Sequence, residues 1–150
     1  MKVKTILYLI TSTLFLTSFI QTANKTKIVT WEYLSYVGYR ATYSPVNNTR
    51  YEKPLFAKNI LKLHNNEIQI SGYVIPMDAN HERFFLSAQP NSSCYFCGAS
   101  AKHTIMDLRM KNLPQNYKMD EYLTFKGILK THTEMENLPY SLENAILVKE

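Results

Sequence analysis

Cysteine, glycine and tryptophan are scarce in this chain of 150 residues: two Cys, four Gly and one Trp. Four glycines, at 38, 72, 98 and 127, leave no Gly-rich loop able to cradle a phosphate. No cysteine precedes Cys94, which excludes a lipid-modified cysteine behind a leader. Charge is also thin, at 19% of residues, and no acid occurs before Glu32. No Ser-nucleophile motif and no internal repeat is found. What is abundant is apolar and aromatic: 45% hydrophobic and 13% aromatic residues, eleven of them Tyr. That composition suits half-buried strands and argues against disorder.

The N-terminus belongs to another regime. Lys2 and Lys4 precede an apolar run from Ile6 to Ile20 broken only by Thr and Ser. A membrane-spanning helix needs roughly 20 apolar residues, and this run is shorter. Residues 1–23 therefore read as a signal peptide, although Gln21-Thr22-Ala23 is a poor small-residue cleavage site. The expected location is outside the cytoplasm, periplasmic or secreted, with no permanent membrane span. Without the leader the net charge falls from +5 to +3, because the leader carries two lysines and no acid. So weak a balance is no footprint for nucleic acid, which requires clustered Lys and Arg. Any partner is expected to be an exported or membrane protein.

Residues 24–53 read as an N-terminal extension packing on the main domain. Trp31, Leu34 and Val37 are spaced for one or two helical turns, and Tyr39–Tyr51, with Pro45 and Asn47-Asn48, reads as a loop. Residues 54–150 form the expected domain. A short helix is predicted to start at Pro54, with Phe56, Ile60 and Leu63 inward. Ile68, Ile70, Gly72 and Val74 then alternate with Gln69, Ser71 and Tyr73, the period of a half-buried strand. Strands are predicted near 67–77, 83–88, 103–110, 122–130 and 140–149, with Ile68, Ile70, Val74, Phe125 and Leu129 buried. Alternation around Leu108 makes Met106 and Met110 core residues. Five strands, two with central glycines, and a long connection between the third and fourth match a mainly β, OB-like, partly closed barrel.

The chemically distinctive feature is Cys94-Tyr-Phe-Cys97, the only cysteine pair, in a loop from Gln89 to Lys102. Two thiolates at this spacing close on one soft metal ion such as zinc or copper. The same spacing also makes a reducible disulfide for thiol–disulfide exchange, or a static crosslink that shapes a partner-binding loop. A thioredoxin-like version lacks its helix, because no amphipathic segment follows Gly98. A metal needs further ligands. His103, six residues beyond Cys97, can reach the pair, and His132, between the fourth and fifth strands, falls near it in some barrel arrangements. His81 is separated from the cysteines by a strand of about 20 Å, and His64 has no fixed place. An acid such as Asp107 could complete the shell unless strand alternation turns it away. The reading that follows is an exported binding module rather than an enzyme.

Thr30-Trp-Glu-Tyr-Leu-Ser, Pro54-Leu-Phe, Ile70-Ser-Gly-Tyr-Val-Ile-Pro-Met-Asp, Phe85-Leu-Ser-Ala, Ser93-Cys-Tyr-Phe-Cys-Gly and Phe125-Lys-Gly-Ile-Leu-Lys together resemble an exported bacterial family known as domain of unknown function 3299. The resemblance runs over nearly all of residues 30–149. It implies an OB-like exported domain with no assigned activity. The family pattern follows the cysteine pair with a Gly-Pro-Glu-like turn, whereas this chain has Ser100-Ala-Lys-His103, so His103 draws no support from it.

Overall fold

Ile68, Ile70, Gly72 and Val74 all point inward from strand β4 (Glu67–Pro76), as their alternation predicts. The computed structural model of the chain describes residues 26–91, 101–113 and 115–148. Among these, β4 is followed by β5 (Phe84–Ser87), β6 (Ile105–Met110), β7 (Glu121–Thr131) and β8 (Tyr140–Leu147). The five lie within a residue or two of the expected positions.

Their pairings form a ring: β4 with β5, β5 with β6, β6 with β8, β8 with β7, and β7 back to β4. Four pairings are antiparallel and β6–β8 is parallel. This is the OB strand order, and the barrel expected to be partly closed is closed. β4 manages two neighbours because it is long. Residues 67–74 pair with β7, and residues 73–76 pair with β5.

The core fills the ring. Ile68, Ile70, Val74, Phe125 and Leu129 are all buried, as are Phe84, Leu86, Met106 and Leu108. Met110 packs against this cluster from its rim. Residues 111–120, the long connection between β6 and β7, send Tyr117 between Phe84 and Phe125. Its ring centroid lies 5.7 and 5.6 Å from theirs, in edge-on geometry that aromatic pairs favour.

The N-terminal extension differs from expectation. It begins with a two-residue strand, β1 (Lys27–Ile28), parallel to β4, and a short helix α1 (Trp31–Leu34) capped by the Thr30 hydroxyl. The expected loop over Tyr39–Tyr51 is instead an antiparallel ribbon of β2 (Val37–Ser44) and β3 (Thr49–Phe56). Pro45–Asn48 is its turn, with Asn48 in the left-handed region at φ 49°. Its covered residues change face along its length, Val37, Tyr39, Pro54 and Phe56 at the root but Thr42, Ser44, Tyr51 and Lys53 farther out, so no single inward alternation marks it in the sequence. The helix expected to start at Pro54 is also corrected. Pro54 lies inside β3, and the helix, α2, is confined to Lys58–Leu61. Ile60 and Leu63 are buried as expected, and Phe56 packs against the core from the end of β3.

Beyond the β1–β4 pairing, hydrogen bonds tie the root of the extension to the barrel. Val29 N–H donates to the Gln69 carbonyl at 2.9 Å, and Trp31 Nε1–H to the Ser71 carbonyl at 2.8 Å. From β8, the fully buried Tyr140 donates its hydroxyl to the Leu34 carbonyl at 2.7 Å. Its ring packs on Phe56 at 5.4 Å. No helix among the described residues is long and apolar enough to cross a membrane.

Gly72 and Gly127 are fitted to the closure. A Cβ on Gly72 would lie 2.7 Å from the Ser87 carbonyl oxygen, and one on Gly127 2.7 Å from that of Glu143. Both obstacles are backbone in paired strands, so neither can swing aside. Replacing either glycine with Ala is expected to cost about 1–3 kcal/mol in urea denaturation. Gly38→Ala, which meets open space, should stay within about 0.5 kcal/mol of the native protein. Equal stability of all three variants would refute this account of closure.

Candidate functional site

Cys94 and Cys97 lie outside the described residues. Beyond them the chain returns at Ala101 and makes a single 3₁₀ turn, Lys102–Thr104, before β6. Thr104 N–H and Oγ1–H both donate to the Ala101 carbonyl, at 2.9 and 2.7 Å. Ala88 N–H donates to Thr104 O at 2.9 Å, fixing the turn to the end of β5.

That turn aims His103 at the ribbon. Its ring stacks on Tyr39 with centroids 6.5 Å apart and planes 25° apart. Nδ1 is buried and has no hydrogen-bond partner among the described residues. Burial holds the imidazole below its ordinary pKa, so the ring is neutral at neutral pH. A neutral imidazole with an uncommitted nitrogen is the form that binds metal.

His132 is committed elsewhere. Its Nε2 lies 2.9 Å from Oγ of Ser141 on β8, and that hydroxyl donates to Glu143 Oε1 at 2.8 Å. Because the single hydroxyl proton goes to Glu143, the proton between His132 and Ser141 belongs to Nε2. The histidine is a donor here, not a base. Ser141 is fully buried, so this arrangement does not make a nucleophile. The chain continues to Arg109, which reaches Glu143 Oε1 at 3.1 Å and Asp107 Oδ2 at 2.9 Å. Asp107 is therefore occupied by Arg109. Burial, first, lowers the His132 pKa, with Arg109 adding to it against opposing effects of Glu134, Glu143 and Asp107. This five-residue network was not read from the sequence. Alternation puts Ser141 and Glu143 on one face of β8, but only the parallel β6–β8 pairing brings Asp107 and Arg109 beside them.

Of the other two histidines, His64 is bonded into the fold, whereas His81, like His103, keeps a buried Nδ1 without a hydrogen-bond partner among the described residues. His64 Nδ1 accepts the Thr131 N–H at 3.1 Å and lies 2.9 Å from Thr131 Oγ1, joining α2's C-terminal turn to the end of β7. His81 takes a left-handed backbone, φ 55°, in the β4–β5 hairpin, where Asp78 Oδ1 accepts Glu82 N–H at 3.0 Å. Among the described residues no three His, Cys, Asp or Glu side chains converge as a metal cage. Nor do Tyr73, Phe84 and Phe85 make a base-stacking platform: Phe84 is core, Phe85 is turned to the opposite face, and Tyr73 packs edge-on against Tyr122.

Beside His103 a cleft of about 500 Å³ separates the ribbon from the barrel rim. Arg50, Glu52 and Pro54 of β3 line one wall, and Glu134, Met135 and Pro139 of the β7–β8 loop line the other. Lys102 bridges to Glu52 at 3.3 Å. The ribbon's tip also touches that loop, with Asn47 Nδ2–H donating to Glu136 Oε1 at 3.2 Å. The volume is that of an ordinary small-ligand site.

The two half-buried histidines set a pH dependence. Both fold with pKa values below the 6.5 of a free imidazole, so the unfolded chain binds more protons below that pH. Their contribution is complete above pH 6.5 and is lost as pH falls through 6.5 toward the folded values. Urea midpoints are expected to decline between pH 7.5 and 5, and His103→Gln or His132→Gln should each flatten the decline. A flat native profile over that range would contradict the assignment.

No family model matches the chain, and no curated protein matches it. Among solved structures, the chain is similar to the crystal structure of a DUF3299 family protein from Pseudomonas aeruginosa PAO1. Identity is 14% and the TM-score 0.47, over 83% of this chain and 97% of that one. That protein's family is the one whose motifs this chain resembles. The OB-like barrel itself stands on the strand pairings, not on that likeness.

Proposed function

We propose that this protein is an exported binding module whose cysteine loop holds one soft metal ion, zinc or copper, through Cys94, Cys97 and His103. The observation that carries the reading is His103: a neutral imidazole with a buried, unpartnered nitrogen, six residues beyond Cys97 and beside the 500 Å³ cleft. His81 Nδ1 is likewise buried and unpartnered, but strand β5 lies between that histidine and the cysteines along the chain, whereas His103 directly follows them. His132 is the weaker ligand, because Nε2 is engaged by Ser141. Two thiolates and one imidazole leave the fourth position of a tetrahedral ion open to an exogenous donor, which suits a binding role. The export reading rests on the basic and apolar pattern of residues 1–23.

Protein purified from its native compartment is expected to carry close to one metal ion per chain by mass spectrometry of the elements. Cys94→Ser with Cys97→Ser should abolish the metal, and His103→Ala should weaken it at least about tenfold. The unloaded double variant should keep its barrel, because the barrel strands supply a buried core of their own. Metal-free protein with both thiols oxidised would sink the metal reading. Reduction of a test disulfide by the same protein would put thiol–disulfide exchange in its place.

A further inference from the structure

Of the ribbon's two outer edges, that of β3 runs along the cleft, and the ladder shows which backbone groups it presents. Ala57 N–H donates to the Tyr36 carbonyl, so 36 and 57 form a hydrogen-bonded pair. The register is continuous from Val37↔Phe56 to Ser44↔Thr49, and hydrogen-bonded pairs alternate along it. Tyr39↔Pro54, Ala41↔Glu52 and Tyr43↔Arg50 are therefore non-hydrogen-bonded pairs. Pro54, which has no N–H, is tolerated in β3 for this reason. By the same parity, Arg50 and Glu52 direct their N–H and C=O groups away from β2.

Those groups face the cleft. β3 pairs only with β2, and no described residue bonds the main chain of Arg50 or Glu52. Side chains alternate between the two faces of a strand, yet the cleft is lined by four consecutive residues, Thr49 to Glu52. A cleft touching all four runs along the strand's edge. Unprotected edges recruit other strands, and proteins ordinarily blunt them. Here the edge lies in a recess whose far wall is the β7–β8 loop. A recess of about 500 Å³ admits a single extended segment, not a second folded domain.

We propose that this edge binds an extended peptide of a partner protein by strand addition, with an acidic residue of the peptide beside Arg50. Four residues of β3 offer roughly 10–13 Å of edge, enough for three or four peptide residues. The main-chain groups of Arg50 and Glu52 supply two donors and two acceptors. The charge preference follows from the side chains at that wall. Glu52 is paired with Lys102, whereas Arg50 has no ion-pair partner among the described residues. The proposal extends the binding-module reading to a site that uses neither cysteine, so loss of the metal reading would leave it standing.

The test uses the full chain and a fluorescein-labelled hexapeptide, Thr-Val-Glu-Val-Thr-Val, with a second version carrying Lys in place of Glu. Anisotropy should detect binding of the Glu peptide, with the Lys peptide at least about tenfold weaker. In NMR hydrogen exchange the Arg50 and Glu52 amides should gain protection on peptide addition. Glu52→Pro removes one edge donor without touching a β2–β3 bond and should weaken binding at least tenfold. Glu52→Gln, which loses only the bridge to Lys102, should bind within about threefold of the native protein. Arg50→Glu should reverse the preference between the two peptides. No binding at millimolar peptide, or binding indifferent to Glu52→Pro, would overturn the proposal. So would protection of the two amides without peptide: concentration-dependent protection would make the edge a self-association surface, and constant protection would mean that the chain covers its own edge.

Discussion

Closure of the ring at β4 is the constraint on which the rest depends. One strand must hydrogen-bond β7 along residues 67–74 and β5 along 73–76, so it bends where the partners overlap. The bend brings the Ser87 carbonyl within 2.7 Å of where a Cβ on Gly72 would stand. Gly127 answers the same demand where the register between β7 and β8 shifts, between Lys126 and Ile128. A side chain at either point would hold the strands apart and open an edge. Closure removes the barrel's edges, and the apolar faces of five strands then share one interior.

The barrel in turn positions everything attached to it. Its outer backbone receives Val29 and Trp31, and its innermost tyrosine reaches out to the Leu34 carbonyl. Burial raises the Tyr140 pKa, so the hydroxyl stays protonated and remains a donor. These ties fix the start of the ribbon. Its tip is held by Asn47 and Glu136, and its middle by Lys102 and Glu52. The latter contacts are exposed polar pairs, each worth at most about 1 kcal/mol. The ribbon is thus anchored firmly at its root and lightly along its length, as suits the wall of a binding cleft.

Two histidines that look equivalent as candidate ligands have opposite roles in the fold. His132 enters a chain of donors and acceptors ending on Arg109, so its nitrogen is spent on structure. His103 packs against an aromatic ring and leaves Nδ1 unspent. Both are held neutral by burial, yet only His103 keeps a buried nitrogen without a partner among the described residues. The difference comes from their neighbours, Ser141 in one case and Tyr39 in the other.

The sequence by itself determined the five barrel strands, the inward set of Ile68, Ile70, Val74, Phe125 and Leu129, and the importance of Gly72 and Gly127. Each is a local property: alternation reports which side of a strand meets apolar surroundings, and a glycine within such a strand reports crowding. It also marked Cys94-Tyr-Phe-Cys97, whose spacing needs no fold to be recognised. The tertiary structure alone decided that Tyr39–Tyr51 forms a ribbon, because its covered residues change face between root and tip and carry no single inward periodicity. It alone placed Asp107 and Arg109 beside Glu143, because the parallel pairing of β6 with β8 joins residues more than thirty positions apart. The open edge at Arg50 and Glu52 belongs to the same class. Whether a main-chain group is paired depends on which strand lies beside it, and side-chain chemistry does not encode that neighbour.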